Sequence, residues 1–493
     1  MRREKILHWF ELRRRMFYLG AFLFGIIIHS ITPLLKYSVN IWVILSLALC
    51  LAFSLTRGGT KFFALIIFCF AMGLVRFDLS VPPKLPLKLD SSPATIQSVW
   101  QGTYGKKANI KIPAGNFLEA PSKIQIDLKN DIAIGSKVLI TCDLQPRIQE
   151  DGDTKYKFYM WQYYSHGYCK SVKLNIVSPP AWYDLRNVFA GWRNLANKRI
   201  NSSIPGDEGV LVAGLLYGER NLTPQAKDLF RRAGLTHIIA VSGSNFTIIV
   251  TVVFSILLGI GLWRHQAFTI TTAAMLLFFG FVGFSASVAR AAIMGWILLL
   301  ARHLGRSPNI WHLCLLSAAL LSLYDPWMFA FDAGFALSFL ATIGLVIWTP
   351  IFTEKFKYLP ATWGLREAAA TTFAATLMTT PYISLVFERI SLAGLFTNLI
   401  AVPIVPWAML FGAVTAVFGS HIHFINLPTL GLSKIIFLSA RIAEVFPWMD
   451  IHISGTNFFF CVGTYVLIIR LWFLLRQKNE LYTKQSIFCN EIT

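Results

Sequence analysis

The chain has 493 residues, 55% of them hydrophobic and only 14% charged, with a positive mean hydropathy and a formal net charge of +20. A soluble globular chain carries roughly a quarter charged residues, so that class is excluded. The apolar residues fall in blocks of about 17–25, the length of helices that cross a bilayer, and blocks such as Phe17–Thr32 and Ile41–Leu55 lack the alternation of a membrane β-barrel.

Residues 1–77 predict an N-terminal membrane segment with spans at 16–35, 40–56 and 61–77. Arg2, Arg3, Lys5, Arg13, Arg14 and Arg15 precede the first, and Arg57 and Lys61 lie between the second and third. Lys and Arg stay on the cytoplasmic side, so residue 78 is expected outside. The first apolar block continues into further spans and reads as a transmembrane helix, not a cleaved signal peptide.

Residues 78–181 are polar and rich in short strand-like runs, among them Thr95–Trp100, Ile124–Leu128, Lys137–Cys142 and Ser171–Val177, separated by turn residues. A small extracytoplasmic β-barrel of OB type is expected. Of the seven cysteines, Cys50, Cys69, Cys314 and Cys461 sit in apolar blocks and Cys489 in the tail, leaving Cys142 and Cys169 in this polar segment. Outside the membrane they meet an oxidising compartment that permits a disulfide; two buried thiols are the alternative.

Residues 182–236 read as an amphipathic interfacial region. Trp182, Leu185, Val188, Phe189, Trp192 and Leu195 recur at helical steps, with Arg186, Arg193, Lys198 and Arg199 on the remaining surface. These cations, with Arg220, Lys227, Arg231 and Arg232, are expected on the outer side, against the usual charge bias. A polyanion arriving from outside, or lipid headgroups, would account for them.

Residues 237–475 hold nine apolar blocks, at 237–262, 266–284, 286–303, 310–324, 328–349, 367–387, 391–418, 431–448 and 456–475, followed by a cytoplasmic tail at 476–493. The expected fold class is an all-α polytopic membrane protein of about twelve transmembrane helices with the OB-like barrel inserted. Both termini are then cytoplasmic.

The motifs lie in this last region. Gly214-Leu-Leu-Tyr-Gly-Glu-Arg220, with Gly218 inside it, precedes Phe230-Arg-Arg-Ala-Gly-Leu-Thr-His-Ile-Ile-Ala-Val-Ser-Gly-Ser-Asn245, which contains Gly234, His237, Ser242 and Gly243. Ser287-Val-Ala-Arg-Ala291, Leu304-Gly-Arg306, Asp325-Pro326, Asp332-Ala-Gly-Phe-Ala-Leu-Ser-Phe339 and Asn398-Leu-Ile-Ala-Val-Pro403 follow in order. Together they resemble the signature of the ComEC competence family, in the form lacking its C-terminal metallo-β-lactamase-like domain. Ala336 departs from it, standing where the family usually has Gln.

The resemblance implies an inner-membrane channel that passes single-stranded DNA into the cytoplasm during natural transformation. It also implies competence partners: a DNA receptor, a cytoplasmic ATP-dependent motor and a separate nuclease. Phosphates cannot enter hydrocarbon, so polar groups at membrane depth must line the path. Arg220, Arg231, His237, Ser242, Asn245 and Arg290 are the candidate path residues, with His237, Val241 and Asn245 expected on one helix face at steps of four. Arg290, inside a span, is expected to pair with Asp332, contact phosphate near the mouth, or snorkel to the surface. Gly214, Gly218, Gly234, Gly243, Asp332, Gly334, Ser338, Asn398 and Pro403 are structural candidates. Gly334, Ser338 and Thr342 form a stripe that favours close helix approach, and Pro381, Pro403 and Pro406 are expected to kink or break their helices.

No enzyme, metal site or cofactor is expected. His421-Ile-His423 lacks the following Asp-His of a metallo-β-lactamase site, and no GxxxxGK[ST] loop occurs. His237 and Ser242, five residues apart, do not share a helix face. A secondary transporter for a smaller anionic solute is the alternative reading.

Overall fold

The computed structural model describes residues 2–31, 60–80, 88–102, 105–113, 122–128, 132–146, 167–181, 183–219, 221–239, 243–283, 286–306, 309–360, 364–419, 422–453 and 458–490. The expected span at 40–56 lies outside them. The chain divides into two compact units, Met1–Lys198 with Val241–Phe335, and Arg199–Ala240 with Ala336–Thr493.

In the first unit, helices α1 (Arg2–Ile31) and α2 (Thr60–Asp78) precede five strands, β1 (Lys88–Gly102), β2 (Gly105–Ile112), β3 (Ser122–Leu128), β4 (Lys137–Pro146) and β5 (Gly167–Ser178). They close into a barrel in the order β1-β2-β3-β5-β4, with β5 parallel to β3 and antiparallel to β4. Side chains alternate across each strand. Leu89, Ile96, Ile110, Ile124, Ile126 and Ile140 accordingly point inward and are fully buried. Cys142 and Cys169, both in this core, are joined by a disulfide. The four predicted strand runs fall in β1, β3, β4 and β5. Strand β2 was not among them; its lysines mask the alternation of buried Ala108, Ile110 and Ile112.

Helix α3 (Leu185–Ser203) follows the barrel. The rest of the first unit is α7 (Gly243–Gly259), α8 (Arg264–Val282), α9 (Ala286–His303), α10 (Ile310–Tyr324), α11 (Pro326–Phe331) and the start of α12 (Ala333–Lys355). Arg76 of α2 donates to the carbonyls of Leu323 and Tyr324 at 2.8 and 2.9 Å, neutralising the exposed carbonyl end of α10.

The second unit contains α4 (Asp207–Tyr217), α5 (Pro224–Arg232), α6 (Thr236–Ile239), most of α12, α13 (Leu365–Phe387), β6 (Arg389–Ser391), α14 (Ala393–Phe418), α15 (Asn426–Ala440), α16 (Ile442–Val445), β7 (Asp450–His452) and α17 (Phe458–Asn490). Strands β6 and β7 pair antiparallel, Arg389 opposite His452 and Ser391 opposite Asp450. The Arg389 guanidinium meets the Asp450 carboxylate at 2.6 Å and the His452 Nε2 at 2.9 Å.

Five helical segments among the described residues are long and apolar enough to cross a membrane: Arg264–Val282, Ala333–Lys355, Leu365–Phe387, Ala393–Phe418 and His423–Val445. Four shorter apolar helices, Ile249–Gly259, Ser287–Ala301, Ile310–Tyr324 and Phe459–Leu475, occupy the other expected positions after residue 237.

Within residues 182–236 one helix is enclosed and not exposed at an interface. Helix α4 is buried from Leu211 through Tyr217, with Val212 packed on Gly412 of α14. Arg199 donates to the Val417 carbonyl at 3.3 Å near the end of α14, whereas Thr397 near its start donates to the Ala233 carbonyl at 2.7 Å. Residues 199–234 therefore follow α14 from its C-terminal to its N-terminal end, with α4 enclosed and Lys227, Arg231 and Arg232 of α5 exposed. Periodicity missed this because α4 is apolar on every side, the mark of an enclosed helix.

Candidate functional site

Three signature motifs meet in the first unit, each at the start of a helix. Gly243 begins α7, Ser287 lies in the first turn of α9, and Asp332 precedes α12. Arg290, one turn along α9, is only 8% exposed. Its guanidinium lies on Gly243: a Cβ added there would stand 2.8 Å from Arg290 Nη2 and 3.3 Å from Ala291 Cβ. Only glycine lets the start of α7 approach so closely.

On the next turn of α9 towards its N-terminus, Ser287 Oγ stands 3.6 Å and Asp332 Oδ1 3.0 Å from the point where a Gly334 Cβ would lie. Asp332 Oδ1 also accepts the Phe335 N–H at 2.7 Å, capping α12. The beginnings of α7, α9 and α12 are thus neighbours around a buried arginine. Asp332 offsets the positive end of the α12 dipole. The Arg290 guanidinium is a group that can donate to phosphate oxygens.

Of the expected face of His237, Val241 and Asn245, Val241 lies outside the described residues. His237 is exposed. Arg220, Ser242 and the Asn245 side chain lie outside the described residues.

The second unit gathers the other motif residues. Gly218 ends α4 in the left-handed region, its N–H bonded to the Gly214 carbonyl at 3.0 Å. Gly214 packs against the carbonyls of Ile239 and Glu219. Helix α5 is capped by Thr223, whose hydroxyl and N–H both donate to Asp207, at 2.6 and 2.9 Å. It ends at Gly234, φ +67°, where the Gly234 N–H reaches the Arg231 carbonyl and the Leu235 N–H the Phe230 carbonyl. Ser391 donates to the Arg232 carbonyl at 2.5 Å and Thr397 to that of Ala233, so this end of α5 is pinned to β6 and α14.

Arg231 and Arg232 both pair with Asp228, the latter at 2.7 Å. Burial would raise the Asp228 carboxyl, but the hydrogen bonds and charges of the two arginines outweigh it and hold it below its ordinary range. Arg231 is thus already matched by an acid.

Among the remaining candidates, Thr342 bonds back to the Ser338 carbonyl at 2.9 Å, Gly334 lies near Ser287 of α9, and α12 also comes close to α13 at Gly344, against Ala374. Asn398 lies near Gly394. Helices α13 and α14 continue through Pro381, Pro403 and Pro406, so none of the three breaks its helix. Ser391, Thr397 and the Arg389–Asp450–His452 group escaped the sequence reading. Three-residue strands carry no periodic signal, and only the fold brings these residues together.

The pattern of the family described as Competence protein matches residues 215–478. ComE operon protein 3 of Bacillus subtilis (strain 168) is 24% identical over 388 residues, 73% of this chain and 46% of the relative; the chain spans about half that protein's length. No solved structure matches. Because the family pattern covers more than half of the sequence, the chain belongs to the ComEC competence protein family.

Proposed function

We propose that this protein is a multi-pass inner-membrane channel through which single-stranded DNA passes into the cytoplasm during natural transformation. The observation that carries the reading is Arg290, buried in an apolar helix with its guanidinium on the glycine that starts α7. An arginine inside an apolar helix is costly in a bilayer, and such residues mark ion and substrate pathways; the nucleic-acid backbone presents an anion at every step. The five-stranded barrel, of a kind that often binds single strands, supports the reading. The topology that goes with it has about twelve spans, cytoplasmic termini and an extracytoplasmic barrel. The protein supplies the path and no catalysis; a DNA receptor, an ATP-dependent motor and a nuclease are separate partners.

The test follows labelled DNA into the cytoplasm of a deletion strain complemented with wild type, Arg290→Ala or Arg290→Lys, with membrane abundance checked. Deletion should abolish entry. Arg290→Ala should lower it by more than an order of magnitude, and Arg290→Lys by less. Undiminished entry in the deletion strain would refute the reading. Normal DNA entry with loss of a small anion's flux would favour the transporter.

A further inference from the structure

The junction between barrel and helices leaves large apolar side chains uncovered. Ile176 and Val177 at the end of β5 are 59% and 61% exposed, Tyr183 70%, and Leu185, Trp192 and Leu195 of α3 67%, 53% and 50%. Leu185, Trp192 and Leu195 fall on one side of α3 by helical spacing.

The neighbouring side of the same helix is docked. The Phe189 ring fills the notch at Gly280, where a Cβ would lie 2.7 Å from Phe189 Cζ. Arg193 donates to the Val282 carbonyl at 3.3 Å. Gly280 and Val282 are the last turn of α8, which is long and apolar enough to cross a membrane. The first three turns of α3 therefore sit at the depth where a spanning helix ends.

The barrel is fixed to this point. Asp184 Oδ1 accepts the Arg186 N–H at 3.0 Å, capping α3, while Asp184 Oδ2 and Pro180 lie against Gly135 in the turn before β4.

We propose that Ile176, Val177, Tyr183, Leu185, Trp192 and Leu195 form a foot that seats the barrel on the phospholipid surface at the end of α8. Lipid is the occupant for three reasons. The patch continues from the end of a spanning helix. Tyr and Trp are the residues that favour the headgroup layer. Finally, α3 carries the exposed Arg186 and Lys198 and no carboxylate, complementing anionic headgroups. With so many cations α3 is too polar to span, and its uncovered apolar stripe is that of a helix lying in the interface. The inference does not depend on what passes through the protein.

The test uses the full chain in nanodiscs containing phosphatidylglycerol, with the thiols outside the disulfide replaced by serine. A fluorescent reporter is placed by Leu195→Cys or, as its neighbour on the solvent side, Asn194→Cys. Nitroxide lipids should quench the reporter at 195 more than that at 194, and aqueous iodide should show the reverse. Equal response of the two positions, or iodide favouring 195, would overturn the foot. If L195C proves unstable, W192C provides the same reading against N194C. Protection of 195 from both quenchers would mean a protein occupant, and would also overturn it.

Discussion

Two arginine sites in this molecule teach opposite lessons about charge. Arg231 and Arg232 stand at the surface and share one carboxylate, Asp228, with their helix end pinned by Ser391 and Thr397. Arg290 is buried, and its guanidinium faces the start of another helix across a glycine. A count of cations makes the first site look the more functional. Burial points to the second: surface pairs cost little and contribute little, whereas a buried charge in an apolar helix is expensive and is a functional-site hypothesis by default.

The sharpest way to break this contrast is Gly243→Val. Its side chain would displace both the Arg290 guanidinium and Ala291, and DNA entry should fall by more than an order of magnitude while the protein still accumulates in the membrane. Comparable loss of protein would make Gly243 merely a packing residue. Thr397→Val should act the other way. Removing the hydroxyl strands the buried Ala233 carbonyl and should destabilise the full chain by about 1–2 kcal/mol, read as a lower melting temperature in detergent, with DNA entry falling only in proportion to abundance.

Asp228→Asn should have the smallest effect, under about 1 kcal/mol. Because the folded protein holds this carboxyl below its ordinary range, its stabilisation is present above that range and fades as pH falls through the folded value. Wild type should thus lose slightly more stability than D228N between neutral and acid pH. A D228N defect in DNA entry as deep as that of Gly243→Val would erase the distinction between the two sites.

What could be read from the sequence differs along the chain for physical reasons. The barrel was legible because strands betray themselves by alternation; β2 slipped past only because Lys106, Lys107 and Lys111 crowd its sequence. The apolar helices after residue 237 were legible by length. Arg290 and Gly243 were singled out separately, but no spacing rule joins residues 47 positions apart, and only the fold shows them touching. Helix α4 was misread because an enclosed helix has no polar face to mark its surroundings. The Arg389–Asp450–His452 group depends on two short strands 58 residues apart, a pairing that no local pattern encodes.

The strand order of the barrel carries one more consequence. β5, synthesised last, is inserted between β3 and β4. A nascent chain ending before Gly167 therefore has four strands and two open edges, which are templates for aggregation, and Cys142 still lacks its partner. The barrel can close only after residue 178 has been synthesised, when β5 pairs with β3 on one side and β4 on the other.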